Sequence, residues 1–234
     1  MTLEVRGLSA WRGRARILHD LSFSVAAGEA VALLGRNGAG KTSTLGALMG
    51  LIPETRGDAR FNGVPILGLP SHRIARLGVG YVPEDRRIFT DLTVNENLAV
   101  GRRPPRPGVP VWTIERLVTL FPSLAGLRDR RGGQMSGGEQ QMLTIARTLM
   151  GNPSLVLLDD PSEGLAPRVV DHMIQALRSM KTEGVGLLLS DQSLTVARHV
   201  CDRAIVIEKG RLVHDGSVAA LDADPALHGA FLAL

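Results

Sequence analysis

Aromatic residues are scarce: five phenylalanines, two tryptophans and one tyrosine make up 3% of the 234 residues. So thin a set argues against a surface that holds nucleic acid by stacking successive bases on exposed rings. Cysteine is rarer still. Cys201 stands alone, so no intrachain disulfide can form, which fits a reducing compartment. No apolar run approaches the roughly 18 residues of a membrane span. The N-terminus, Met1-Thr2-Leu3-Glu4-Val5-Arg6, carries no signal-peptide pattern. The expectation is a soluble intracellular protein that meets a membrane only through partners or surface charge. His19, His72, His172, His199, His214 and His228 show neither i, i+4 pairing nor a cysteine partner, so no zinc site is indicated. A G-x-S-x-G turn for a serine hydrolase is missing, as are internal repeats and low-complexity tails.

What is present is enough apolar material, 44% of the chain, to bury a core as one domain with a possible subdomain. The net charge is +4. Arg6, Arg12, Arg14 and Arg16 cluster early, and Arg102, Arg103 and Arg106 cluster mid-chain. Such runs are usually solvated faces; the alternative is contact with anionic lipid or nucleotide.

The chemistry is carried first by Gly35-Arg36-Asn37-Gly38-Ala39-Gly40-Lys41-Thr42, the pattern G-x-x-x-x-G-K-[ST] of a phosphate-binding loop. Glu29 to Leu34 reads as a buried strand before it, and Lys41 to Met49, with Ser43 just inside, as a helix after it. Glycines let the backbone bring its N–H groups close to phosphate oxygens, and the helix N-terminus favours negative charge. Lys41 would reach the outer phosphates, and the Thr42 hydroxyl would ligate Mg²⁺. Leu155 to Leu158 reads as a buried parallel strand that places Asp159 at its C-terminal end, where a carboxylate can hold Mg²⁺ directly or through water.

Leu3 to Leu8, Leu21 to Val25, Gly80 to Pro83, Val185 to Leu189 and Ala204 to Ile207 read as further strands. Lys209-Gly210 reads as a turn into Leu212-Val213. Val111 to Phe121, Glu139 to Met150 and Arg168 to Met180 read as helices, the second stopped by Gly151-Asn152-Pro153. Strands separated by helices predict an α/β fold with a mostly parallel sheet covered on both faces. Arg102 to Gly108 is too proline-rich for a helix interior or central strand, and reads as a loop within a helical insertion.

The phosphate loop, then Ser136-Gly137-Gly138-Glu139-Gln140, then Asp159-Asp160-Pro161 resembles the ATPase subunits of ABC transporters over essentially the whole chain. Val82-Pro83-Glu84-Asp85-Arg86-Arg87-Ile88-Phe89, followed by Leu92 to Leu98, and Pro161-Ser162-Glu163-Gly164-Leu165-Ala166-Pro167 narrow the likeness. Together they resemble the shorter ATPase subunit of branched-chain amino acid importers. The resemblance implies a P-loop NTPase, RecA-like core at 1–85 and 154–234 with an antiparallel β edge, and a helical signature subdomain at about 86–153. It implies ATP and Mg²⁺ as ligands, and a second ATPase subunit, in a homo- or heterodimer, closing head to tail. Ser136, Gly137, Gly138 and Glu139 would then cap the γ-phosphate held by the partner's loop. Transmembrane permease subunits and, indirectly, a solute-binding protein are the other implied partners, with no nucleic acid. The implied location is the cytoplasmic face of the inner (plasma) membrane. Trp11 matches the aromatic that stacks on adenine; a strand-end aromatic in the core is the alternative reading.

Three positions depart from the superfamily's common pattern. Asp160 stands where Glu usually polarises the attacking water, Glu84 where most relatives have a Gln that senses γ-phosphate and Mg²⁺, and Gln192 where most carry a switch His. Glu84 retains a carboxylate that can ligate Mg²⁺. Asp160 is one methylene short, and a misplacement on the order of 1 Å can cost about a hundredfold in rate. The expected consequence is a slow site of its own and a complete signature that serves the partner's site. Two rivals stand beside an import ATPase: a catalytically weak ATP-binding partner, and a soluble ABC ATPase acting on nucleic acid or ribosomes.

Overall fold

The computed structural model describes residues 3–192 and 194–224; Ser193 and His228 fall outside them. Strands β1 (Leu3–Arg12) and β2 (Ala15–Val25) form a hairpin, and β3 (Ala30–Leu34) leads through residues 35–40 into helix α1 (Lys41–Leu48). Next come β4 (Glu54–Phe61), β5 (Val64–Pro65), α2 (Ser71–Leu77) and β6 (Val79–Val82). A helical stretch holds α3 (Val94–Gly101), α4 (Ile114–Leu120), α5 (Pro122–Ala125), the 3-10 turn Gly132–Gln134 and α6 (Gly137–Leu149). The chain continues through β7 (Leu155–Leu158), α7 (Pro167–Thr182), β8 (Gly186–Asp191), α8 (Leu194–Val200), β9 (Arg203–Glu208), β10 (Arg211–Ser217) and α9 (Val218–Asp222).

The strands make two sheets, one antiparallel in the order β2-β1-β4-β5 and one of six strands in the order β10-β9-β3-β8-β7-β6. In the larger sheet β6, β7, β8, β3 and β9 are parallel, and β10 closes one edge antiparallel. The β9–β10 turn uses Lys209 and Gly210, both at positive φ, which matches the twist of a two-residue hairpin. β3, β7 and β8 are buried at every position because helices and the second sheet cover both faces. The two-residue period sorts their side chains. Leu155 and Leu157 join one core with Val31, Leu33, α1 and the antiparallel sheet. Val156 and Leu158 join another with Leu187, Leu189, α3, α6 and α7.

The expected elements are present with shifted ends, except that the run Val111 to Phe121 is a shorter helix. Thr113 caps α4, its hydroxyl accepting the Arg116 N–H at 3.3 Å, and Pro122 starts a separate turn. The proline-rich loop after α3 is less loose than its composition suggests. The Arg106 guanidinium donates to the carbonyls of Gly151 and Asn152, just past α6, at 2.5 and 2.6 Å. It also reaches Ala75 and Arg76, at the end of α2, at 3.2 and 3.1 Å. One side chain thus ties the end of α2 to the segment just past α6.

Candidate functional site

The loop between β3 and α1 depends on close backbone approach. Gly35 has φ of 148°, and a Cβ there would stand 2.3 Å from the Ile207 carbonyl oxygen of β9. Gly40, at φ 116°, would press a Cβ to 2.9 Å of the Leu18 side chain of β2. Lys41, the first residue of α1, is buried. It donates to the Gly35 carbonyl oxygen at 2.9 Å and lies 4.0 Å from an Asp160 carboxylate oxygen.

Asp159, at the end of β7, collects donors from three other elements. Thr42 of α1 and Ser190 of β8 donate to its Oδ1 at 3.0 and 2.8 Å, and the Tyr81 hydroxyl of β6 donates to Oδ2 at 3.2 Å. Burial raises the Asp159 pKa despite these three donors, which pull the other way. Tyr81 is raised as well, first by burial and then by the adjacent Asp159 carboxylate. Two oxygens on adjacent octahedral positions of Mg²⁺, each at about 2.1 Å, lie about 3.0 Å apart. The Thr42–Asp159 separation of 3.0 Å has that spacing, so this pair fits the ion. No cluster of three or more His, Cys, Asp or Glu suited to a metal occurs among the described residues.

Asp160 is buried and has φ of 39°, an uncommon backbone setting that Asp tolerates better than most residues. Its N–H donates to Ser190 Oγ at 2.9 Å, and its Oδ2 accepts from Gln192 Nε2 at 3.4 Å. Burial raises its pKa, and the Lys41 ammonium opposes that. Glu84 follows β6 and is exposed. Desolvation of its carboxyl, and then the carboxylates of Glu163, Asp159 and Asp160, raise its pKa.

A cleft of about 790 Å³ joins these groups. Asn37 through Ser43, Glu84, Asp160 and Gln192 line it, so the loop and the three departing positions share one space. That volume falls in the range of small-molecule sites. Arg12, Arg16, Ile17, His19, Glu163 and Lys209 complete the walls. The early arginine run was visible in the sequence, but no pattern marked which arginine turns inward. Tyr81 and Ser190, which hold Asp159, had no sequence signal beyond their places at strand ends.

Of the expected site residues, Gly35, Arg36 and Asp159 are not among its walls, and neither are Trp11 and the Ser136 segment. Trp11 is half-buried, paired across the strands with Arg16 and Glu54. The guanidinium carbons of Arg16 and Arg56 lie 5.4 and 5.1 Å from its ring centroid. The Ser136 segment forms the start of α6. Ser136 caps that helix in a reciprocal box: its hydroxyl accepts the Glu139 N–H at 3.3 Å, and its own N–H donates to the Glu139 carboxylate at 2.7 Å. Gly137 lies beneath the Arg86 guanidinium and Gly138 against Val169; a Cβ at either would sit within 3 Å of these side chains.

The ABC transporter family model matches residues 18–163. A Pseudomonas aeruginosa protein, the high-affinity branched-chain amino acid transport ATP-binding protein BraG, is 41% identical over 225 residues, covering 96% of this chain and 97% of the relative. The lipopolysaccharide export system ATP-binding protein LptB of Acidithiobacillus ferridurans is 34% identical over 233 residues, covering 98% and 96%. A solved nucleotide-free ATP-binding cassette from an ABC transporter shares the fold, with a TM-score of 0.82 at 23% identity over 97% of each chain. On the family match and the relatives that span its length, the chain belongs to the ABC transporter family, as one of its ATP-binding subunits.

Proposed function

We propose that this chain binds and hydrolyses ATP to power import of branched-chain amino acids through an ABC transporter. The observation that carries the ATP reading is the convergence of Lys41, Thr42 and Asp159 beside a cleft walled by a glycine loop. In this reading Gly35, Arg36, Asn37, Gly38, Ala39, Gly40 and Ser43 cradle phosphates, and Lys41 leaves the Gly35 carbonyl to meet them. Thr42 and Asp159, with Glu84 nearby, hold Mg²⁺, which when bound offsets phosphate charge. Asp160 orients the attacking water and Gln192 donates to a phosphate oxygen. Ser136, Gly137, Gly138 and Glu139 serve the site of a second ATPase subunit, with N–H groups at a helix start aimed at its phosphate. Residues 86–153 act as the helical signature subdomain of one ATPase domain, beside the core at 1–85 and 154–234. Permease subunits hold the chain at the cytoplasmic face of the inner membrane, and a solute-binding protein acts through them.

The substrate rests on BraG, whose identity to this chain exceeds that of LptB over nearly the same coverage. Deleting the chain from its host should abolish uptake of labelled leucine, isoleucine and valine. Normal uptake together with failed lipopolysaccharide transport would favour the export reading. A second reading, a weak ATP-binding partner, is favoured by the short Asp160 side chain tethered toward Gln192. Turnover should be measured for the wild type and Asp160→Glu, each assembled with its partner ATPase and permease. A gain of several-fold to about a hundredfold is expected for Glu. Equal rates would mean that Asp160 already reaches the water.

A further inference from the structure

We infer that Glu163 is a second carboxylate acting on the attacking water, taking up part of the role that the short Asp160 side chain leaves unfilled. This rests on the nucleotide reading above. The backbone brings the two acids to one wall. Asp160 leaves β7 at φ 39°, with its N–H fixed to Ser190 Oγ of β8 at 2.9 Å. Pro161 follows, and the Glu163 N–H donates back to the Asp160 carbonyl at 3.1 Å. That bond closes a four-residue turn, whose first and last Cα atoms lie within about 7 Å of each other. Both side chains line the cleft, as does Glu84. Glutamate also carries the methylene that Asp160 lacks.

The two carboxylates differ in what holds them. Asp160 faces the Lys41 ammonium at 4.0 Å and accepts from Gln192 at 3.4 Å. Glu163 is exposed, and its carboxylate has no hydrogen-bond or ion-pair partner among the described residues. After desolvation, its charge raises the pKa of Glu84 and adds to the rise at Asp160, so the three groups share one field. A free carboxylate is repelled by a triphosphate and serves poorly as a phosphate contact. It accepts hydrogen bonds and donates none, which suits it to a water proton. In the step it assists, the water oxygen bonds to the γ-phosphorus as the bond from that phosphorus to the bridging oxygen breaks. The electron pair of the broken bond leaves with ADP. One water proton stays on the new phosphate; the other moves along the hydrogen bond to Glu163 and on to solvent.

The test reads turnover in the assembly with the partner ATPase and permease, and Mg²⁺-ATP affinity of the intact chain by calorimetry. Glu163→Gln, which keeps the shape and removes the charge, should lower turnover about ten- to hundredfold. Affinity should hold or tighten by up to about fivefold, because a repulsive charge is gone. Glu163→Asp keeps the charge and loses reach; it should bind ATP like the wild type and turn over as slowly as the Gln variant. Within Asp160→Glu, where the longer acid already meets the water, adding Glu163→Gln should cost less than about threefold. Turnover of Glu163→Gln within about twofold of the wild type would overturn the inference. So would a parallel loss of affinity, which makes Glu163 a binding or metal contact, and so would an equal loss in both Asp160 backgrounds. A wild-type chain that binds no Mg²⁺-ATP fails the nucleotide reading itself, whatever Glu163 does.

Discussion

Asp159 is pulled two ways, and the balance has a measurable sign. Its three donors favour the carboxylate and its burial favours the acid; burial prevails and the pKa rises. A carboxyl with a raised pKa binds its proton more tightly in the folded state than in the unfolded one. Its contribution to stability is therefore lost as pH rises through the folded value. Metal-free Asp159→Asn should accordingly gain on the wild type in denaturant midpoint as pH rises from below the ordinary carboxylate range toward neutrality. Saturating Mg²⁺-ATP should reverse the order at the upper pH, since the amide is a poor magnesium ligand. Gly35 is intolerant for a different reason. A methyl group there meets the Ile207 carbonyl at 2.3 Å, and Gly35→Ala should lower stability by about 3 kcal/mol, read by urea unfolding.

Among the elements, the proline-rich loop matters most for its one inward arginine. Arg106→Met should cost about 2 kcal/mol, since charge-assisted bonds to carbonyls at two helix ends are lost. A drop of about 4–8 °C in the melting temperature is expected, with little recovery in Arg106→Lys because a lysine lacks the forked geometry. The sequence placed this arginine in a loop but gave no hint of its carbonyl partners, which are distant in the chain. Strands such as Leu155–Leu158 were legible because continuous burial leaves an unbroken apolar run. β4 was not, because Glu-Thr-Arg-Gly-Asp-Ala-Arg-Phe alternates too weakly, and its strand form comes from pairing with β1. The helices α2, α3 and α8 are too short for a periodic pattern to stand out. Within the site, the glycine loop and Asp159 were readable as local patterns.

At the scale of the whole chain, the cleft and the capped start of α6 are separate: none of Ser136, Gly137, Gly138 or Glu139 lines the cleft. ATP affinity of the isolated chain should thus survive Ser136→Arg within about twofold, while turnover of the full assembly falls by two orders of magnitude or so. Calorimetry on the chain and phosphate release from the assembly separate the two effects. The Arg106 clip also bears on how this protein can be modified. Proline-rich surface loops are ordinarily the first choice for inserting a tag or a reporter domain. Here a few residues added between Arg103 and Arg106 would carry the guanidinium away from both helix ends. The permissive position is instead the Gly63 turn between β4 and β5, where the space around the backbone is open.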